Sequence, residues 1–259
     1  MKVFRMLYVV VAMLISTGLH AQGIVLELQE TLNGKTSTGQ FQVDKTHIRA
    51  DSRANGESMA LVYDDVAKVA RLINFDKKTY MEMDRAMQQQ VQQQLAEAQA
   101  QLEKLPPAQR AIAEQMMRGR GGARGAAPAT IEYRQTGSDK VGKWACTKYD
   151  GYQGQQKVVE ICTADLKDLG MTLQDFEVAK HLVEFVGVLI PDAANQVVLP
   201  GTTAAQGYNG VPVRRIGFPN GKPGAITEVK DVRREAIPAS AFDLPAGFKK
   251  QEIPGMRGK

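Results

Sequence analysis

Between Gly23 and Met83 the chain carries six short β-prone runs separated by turn residues, and this spacing constrains the fold more than any other feature. The runs are Ile24 to Thr31, Gly39 to Val43, His47 to Asp51, Ser58 to Tyr63, Val66 to Phe75 and Thr79 to Met83, parted by Asn33-Gly34, Asp44-Lys45, residues 52–57, Asp64-Asp65 and residues 76–78. Parallel strands need crossovers of a dozen residues or more, so these connections predict an antiparallel meander.

The pattern then changes. From Asp84 to Leu105 the apolar residues Met87, Val91, Leu95, Ala98, Leu102 and Leu105 recur every three or four positions, one stripe of an amphipathic helix that Asp84 can cap. Pro106-Pro107 ends it, and a second helix is expected from Pro107 to Met117, with Met116 and Met117 on one face. Arg118 to Pro128 is too rich in glycine for a helix or strand and reads as a flexible loop. Strands resume at Thr130 to Thr136, Trp144 to Asp150 and Lys157 to Thr163. A helix follows from Thr172, whose spacing to Asp175 fits a capping box and whose expected buried stripe is Leu173, Phe176, Ala179, Val183, Val186 and Ile190. The last hairpin runs from Pro212 to Phe218 and from Ala225 to Glu235. The helix stripes must be buried against one face of the sheet, which gives an α+β domain.

The N-terminus has the layout of a signal peptide over residues 1–21: Lys2 and Arg5, an apolar run from Met6 to Ile15, then small residues ending at Ala21. That run is shorter than the ~20 residues a spanning helix needs, so cleavage before Gln22 is expected, leaving 22–259 as one soluble domain, periplasmic or secreted, with a helical insertion at 84–117 and the loop at 118–128. The chain's formal charge of +5 then falls to +3, because the leader carries two bases and no acid. Arg118, Arg120 and Arg124 account for all of that remainder. The basic balance therefore describes one segment, which reads as a solvated linker, and a nucleic-acid partner is not expected.

Cys146 and Cys162 are the only cysteines and lie symmetrically about Gly154, so a hairpin centred there would set them directly opposite each other. In an oxidising compartment this favours a cross-strand disulfide, with two buried free thiols as the alternative. A metal site is not expected, since His181 is the nearest histidine after Cys162. His47 and His181, the histidines beyond the leader, have no sequence partner that suggests a dyad, and no HExxH, GxSxG or paired-cysteine redox motif occurs. No catalytic residue, cofactor or enzymatic activity is therefore expected.

Four stretches taken in order carry a resemblance: residues 47–51 (HIRAD), 76–80 (DKKTY), 144–149 (WACTKY) and 242–248 (FDLPAGF). The sequence resembles a family of exported bacterial proteins known only as a domain of unknown function, and more distantly the LolA and LolB lipoprotein carriers. The resemblance implies a strongly curved antiparallel sheet, a half-barrel, with helices on its concave face and an apolar cavity between them; the residues themselves allow a filled core there equally well. Met87, Val91, Leu95, Leu102, Met116, Met117, Phe176 and Val183 are the candidate lining of that cavity. The expected role is binding of a lipid, acyl chain or other apolar ligand; the alternative is a structural or interaction component of the envelope that meets a protein partner through the Gln-rich helix.

Overall fold

A computed structural model describes residues 21–54, 56–106, 109–110, 131–189 and 207–252. Residues 1–20 of the expected leader, the Arg/Gly loop, most of the second insertion helix, and Met116 and Met117 lie outside the described residues, while Ala21, the last residue of that leader, begins β1. The strands are β1 Ala21–Leu32, β2 Lys35–Val43, β3 His47–Ala54, β4 Glu57–Asp64, β5 Val69–Asn74 and β6 Thr79–Met83, followed by β7 Glu132–Val141, β8 Trp144–Gln153, β9 Gln156–Ala164, β10 Val211–Gly217, β11 Ile226–Ile237 and β12 Lys249–Lys250. Two α-helices are described, α1 Arg85–Glu103 and α2 Glu177–Leu189.

All twelve strands join in one sheet, ordered β12-β6-β5-β4-β3-β2-β1-β11-β10-β9-β8-β7. Every neighbouring pair is antiparallel except β12 with β6. The sheet is not closed into a barrel: among the described residues β12 and β7 form its two edges.

Local chemistry explains most of the boundaries. Asn33 and Gly34 both take positive φ, 51° and 75°, the two-residue hairpin turn that lets Leu32 pair with Lys35. β2 consequently starts at Lys35, four residues before its expected start. Val66, expected in a strand, is instead 73% exposed in the β4–β5 turn. The Asp64 carboxylate accepts hydrogen bonds from the Val66 and Ala67 N–H groups, both at 2.9 Å, and this local capping overrides the β propensity of valine. β7 runs past its expected end, through an irregularity at Gly137, to a tight turn at Gly142-Lys143.

Both helix starts follow the sequence. Asp84 accepts from the Met87 N–H at 2.8 Å, and Thr172 and Asp175 form the reciprocal capping box. At the far end of α1, Arg110 donates to the carbonyls of Leu102 and Glu103, adding to the backbone bond that Leu102 accepts from the Leu105 N–H. The capping-box turn winds as a 3₁₀ helix over Leu173–Phe176, so Leu173 leaves the expected stripe and is 50% exposed. The buried face of α2 is Val178, Ala179, Leu182 and Phe185, with Val183 and Val186 at its margin.

Alternation along the strands sends side chains to two faces. The helix-bearing face holds the main core, which includes Ile24, Leu26, Ile48, Tyr63, Trp144, Cys146, Cys162 and Val213 beneath Phe176, Leu182 and Phe185. On the opposite face the C-terminal segment lays Phe242, Leu244 and Phe248 over Val25, Ala60, Val62 and Ile73. A third cluster, around Tyr149, Val159, Ile161 and Tyr208, covers the β8–β9 part of the sheet.

Cys146 and Cys162 form a disulfide with Cα atoms 5.4 Å apart. Their placement differs from the expected one. A register shift between Gly151 and Tyr152 sets Thr147 against Thr163 and Lys148 against Cys162, so the cysteines are diagonal neighbours. Closing a loop of this length stabilises a domain by roughly 3 kcal/mol. The double substitution Cys146→Ser/Cys162→Ser is expected to lower unfolding stability by about that amount with the circular dichroism spectrum unchanged, as read by urea titration. Equal midpoints with and without the bond contradict this assignment.

Candidate functional site

Of the eight residues expected to line a cavity, Met87, Val91 and Phe176 meet at the junction of α1, α2 and the helix-bearing face. Phe176 is 6% exposed and belongs to the core itself. Met87 and Val91 are half-buried and pack against the same cluster from α1. The Gln88 side-chain amide donates to the Phe185 carbonyl at 2.9 Å, tying α1 to the last turns of α2. Val183 and Leu102 are half-buried, while the Leu95 side chain, like Met116 and Met117, lies outside the described residues. The structure therefore brings Met87, Val91 and Phe176 to one apolar cluster.

At the edge of this junction is a polar group that the sequence did not disclose. The fully buried Tyr63 side chain donates its hydroxyl to Asp65 Oδ1 at 2.9 Å. Lys68 pairs with the same oxygen, and His181 Nδ1 lies 3.0 Å from Asp65 Oδ2. A cavity of about 260 Å³ opens beside them, lined by Tyr63, Lys68, Arg85, Gln88, His181, Glu184 and Phe185. Burial opposes ionisation of Asp65, but the hydrogen bonds from Lys68, His181 and Tyr63 outweigh it and hold the carboxyl below its ordinary pKa. Burial, aided by the bond to Asp65, pushes the Tyr63 phenol well above its ordinary value. A phenol shifted in that direction is suited to holding its proton, and the group fastens the β4–β5 turn to α2.

Two larger cavities lie elsewhere. One, of about 510 Å³, sits where the Arg234 guanidinium bridges Asp175, at 2.8 and 3.1 Å, and the Gly170 carbonyl, at 3.2 Å. The other, of about 840 Å³, lies between β2 and β3. Arg49, in one of the stretches that carry the family resemblance, faces away from the helices. It clamps Asp51 through two nitrogens and donates to the Ala241 carbonyl at 2.8 Å, anchoring the C-terminal segment. Among the described residues no group of three or more His, Cys, Asp or Glu side chains could hold a metal ion.

A family described as a domain of unknown function, DUF4412, matches residues 121–248, in agreement with the resemblance carried by the Trp144 and Phe242 stretches. No curated protein matches the sequence. Among solved structures the chain is similar to an uncharacterized conserved protein from Thermus thermophilus, at 8% identity over 90% of this chain and 91% of that one, with a TM-score of 0.46. It is also similar to a chain of the Pseudomonas aeruginosa MucA/MucB complex, at 11% identity over 88% and 56%, with a TM-score of 0.31. A DUF1329 family protein from Desulfovibrio piger matches at 10% identity over 86% and 90%, with a TM-score of 0.21.

Removing the Asp65 carboxylate strands the buried Tyr63 hydroxyl, so Asp65→Ala is expected to cost about 1–3 kcal/mol near neutral pH. Because the folded-state pKa of Asp65 lies below its unfolded value of roughly 3.9, its contribution is complete above that value and fades as pH falls through the folded one. Urea titrations of both proteins should therefore show a gap at pH 7 that narrows below about pH 4. A gap that is absent at pH 7, or that widens in acid, contradicts the role given to Asp65.

Proposed function

We propose that the chain is an exported, non-enzymatic binding protein of the cell envelope, which takes an apolar ligand, a lipid or acyl chain, under α1 on the helix-bearing face of a carrier-like half-barrel. The observation that carries this reading is the contrast between the two helices. α2 is sunk into the core, whereas α1 meets that core through the half-buried side chains Met87 and Val91. Methionine adapts to irregular apolar shapes, and a cover held this way leaves room for a chain to enter at its edge. The disulfide supports an oxidising compartment. Among the described residues no helix is long and apolar enough to cross a membrane.

One observation favours a second reading, in which α1 meets a protein partner of the envelope. Its Gln92, Gln93, Gln94 and Glu97 side chains are exposed in a row beyond the packed turns.

The test is displacement of a fluorescent fatty acid by unlabelled acids of increasing length, using protein purified from its own periplasm and beginning at Gln22. Each buried methylene contributes about 0.8 kcal/mol, so affinity should rise about fourfold per carbon until the site is filled. Val91→Asp should weaken binding at least tenfold, with the melting temperature followed in parallel. No displacement, or affinity independent of chain length, contradicts the apolar-ligand reading and leaves the partner reading in front.

A further inference from the structure

β2 and β3 pair only from Gln40–Val43 to Ile48–Asp51. Beyond that point β2 continues back to Lys35 along β1, and β3 continues to Ala54 along β4, each without the other. The two strands part like the arms of a V, and the 840 Å³ cavity is the space between the arms. Its lining identifies it as a gap through the sheet. Thr36, Thr38, Arg53, Ser58 and Phe75 belong to one face, and Glu30, Leu32, Lys35, Ser37, Ser52 and Met59 to the other, and both sets border the same space.

Specific contacts hold the arms apart. At the vertex, a Cβ on Gly39 would stand 2.6 Å from the Asp51 carbonyl oxygen, so the closest approach of the two backbones requires glycine. The tip of β3–β4 is pulled toward the β5–β6 turn. The Ser58 N–H donates to Asp76 at 2.6 Å, and Glu57 accepts from Asn74 at 2.6 Å and pairs with Lys77 at 2.7 Å. The other arm belongs to the β1–β2 hairpin, where the Thr31 and Thr36 hydroxyls are 3.3 Å apart.

The arms expose unpaired main chain. The Asn33-Gly34 turn directs the Lys35 N–H toward β1, and backbone groups alternate in direction along a strand. The N–H and C=O groups of Thr36 and Thr38 therefore point toward the gap. By the same alternation Gln40 faces Asp51, its partner, and the Arg53 backbone faces the gap from the other arm. We propose that the gap between β2 and β3 is a docking site for an extended, proline-free polypeptide segment, inserted as an additional strand between them. Main-chain hydrogen bonds to Thr36, Thr38 and Arg53 supply the affinity. Alternate side chains of the guest reach the two faces: acidic or hydroxyl groups meet the exposed Arg53, and apolar groups meet Leu32, which is 45% exposed, and Met59.

The test uses a fluorescein-labelled eight-residue peptide alternating valine with glutamate and threonine, and the same peptide N-methylated at every second residue. Fluorescence anisotropy with the full exported chain should show saturable binding of the first and at least a tenfold loss for the second, since the side chains are the same while half of the backbone donors are blocked. Thr38→Pro removes one donor of the β2 arm and should weaken binding at least tenfold. Arg53→Glu, an exposed substitution, should weaken it severalfold and favour a lysine-containing peptide instead, with both variants matched to the parent in melting temperature. Equal binding of the N-methylated peptide, binding indifferent to both substitutions, or no binding at millimolar peptide overturns the proposal.

Discussion

The long antiparallel ladder between β1 and β11 makes this a single sheet. It runs from Ala21 paired with Ile237 to Thr31 paired with Ile226, interrupted by one irregularity at Glu27/Leu28. On one side of it lies the N-terminal meander, β2 to β6; on the other lie β10 and the hairpins of β7, β8 and β9. Gly23 lets the three central strands close up, for a Cβ there would stand 2.4 Å from Ile237 Cδ1 and 2.5 Å from the Val43 carbonyl. The core beneath α2 draws on both halves, with Ile48 and Tyr63 from one and Trp144 and the disulfide from the other, and Ile24 and Leu26 between them. Strands about 200 residues apart in sequence must therefore meet before the core is complete, the long-range pairing that makes such folds slow to form.

The legible parts of the fold were those decided locally. Asn33-Gly34, Asp84 and the Thr172–Asp175 pair each act within a few residues, and each appears where the sequence placed it. Local rules also explain two misplacements. Val66 went to a turn because Asp64 captured its N–H, and Leu173 turned outward because a capped start wound as 3₁₀. The diagonal cysteines depend on a one-residue register shift, and β12 on a parallel partner about 170 residues earlier, neither of which leaves a periodic trace. At the candidate site, the apolar stripe of α1 was legible, while the Tyr63–Asp65–His181 group was not. His181 lies 116 residues from Asp65 and shares no motif with it, and Asp64-Asp65 was legible only as a turn.

The two faces and the gap divide the protein's surfaces by chemistry. The helix-bearing face is apolar around α2, and the rim of that core is fastened by the Asp65 group. The opposite face is covered in part by the C-terminal segment, which Arg49, oriented by Asp51, holds by donating to the Ala241 carbonyl and which stacks Phe242 on His47 at 4.9 Å. The gap between β2 and β3 is lined by polar and apolar side chains alike and bordered by unpaired backbone. An acyl ligand under α1 and a strand in the gap would use different forces, area removed from water in one case and directional hydrogen bonds in the other.

If the β1–β11 ladder unites the halves, they must unfold together. Hydrogen exchange followed by mass spectrometry across a urea series tests this directly, comparing peptides from β4–β5 with peptides from β8–β9. The account predicts that the slowest amides of both sets lose protection with one common midpoint, which also matches the fluorescence transition of Trp144. Separate midpoints, with one half keeping its protection after the other has lost it, would contradict the claim that one ladder makes one sheet.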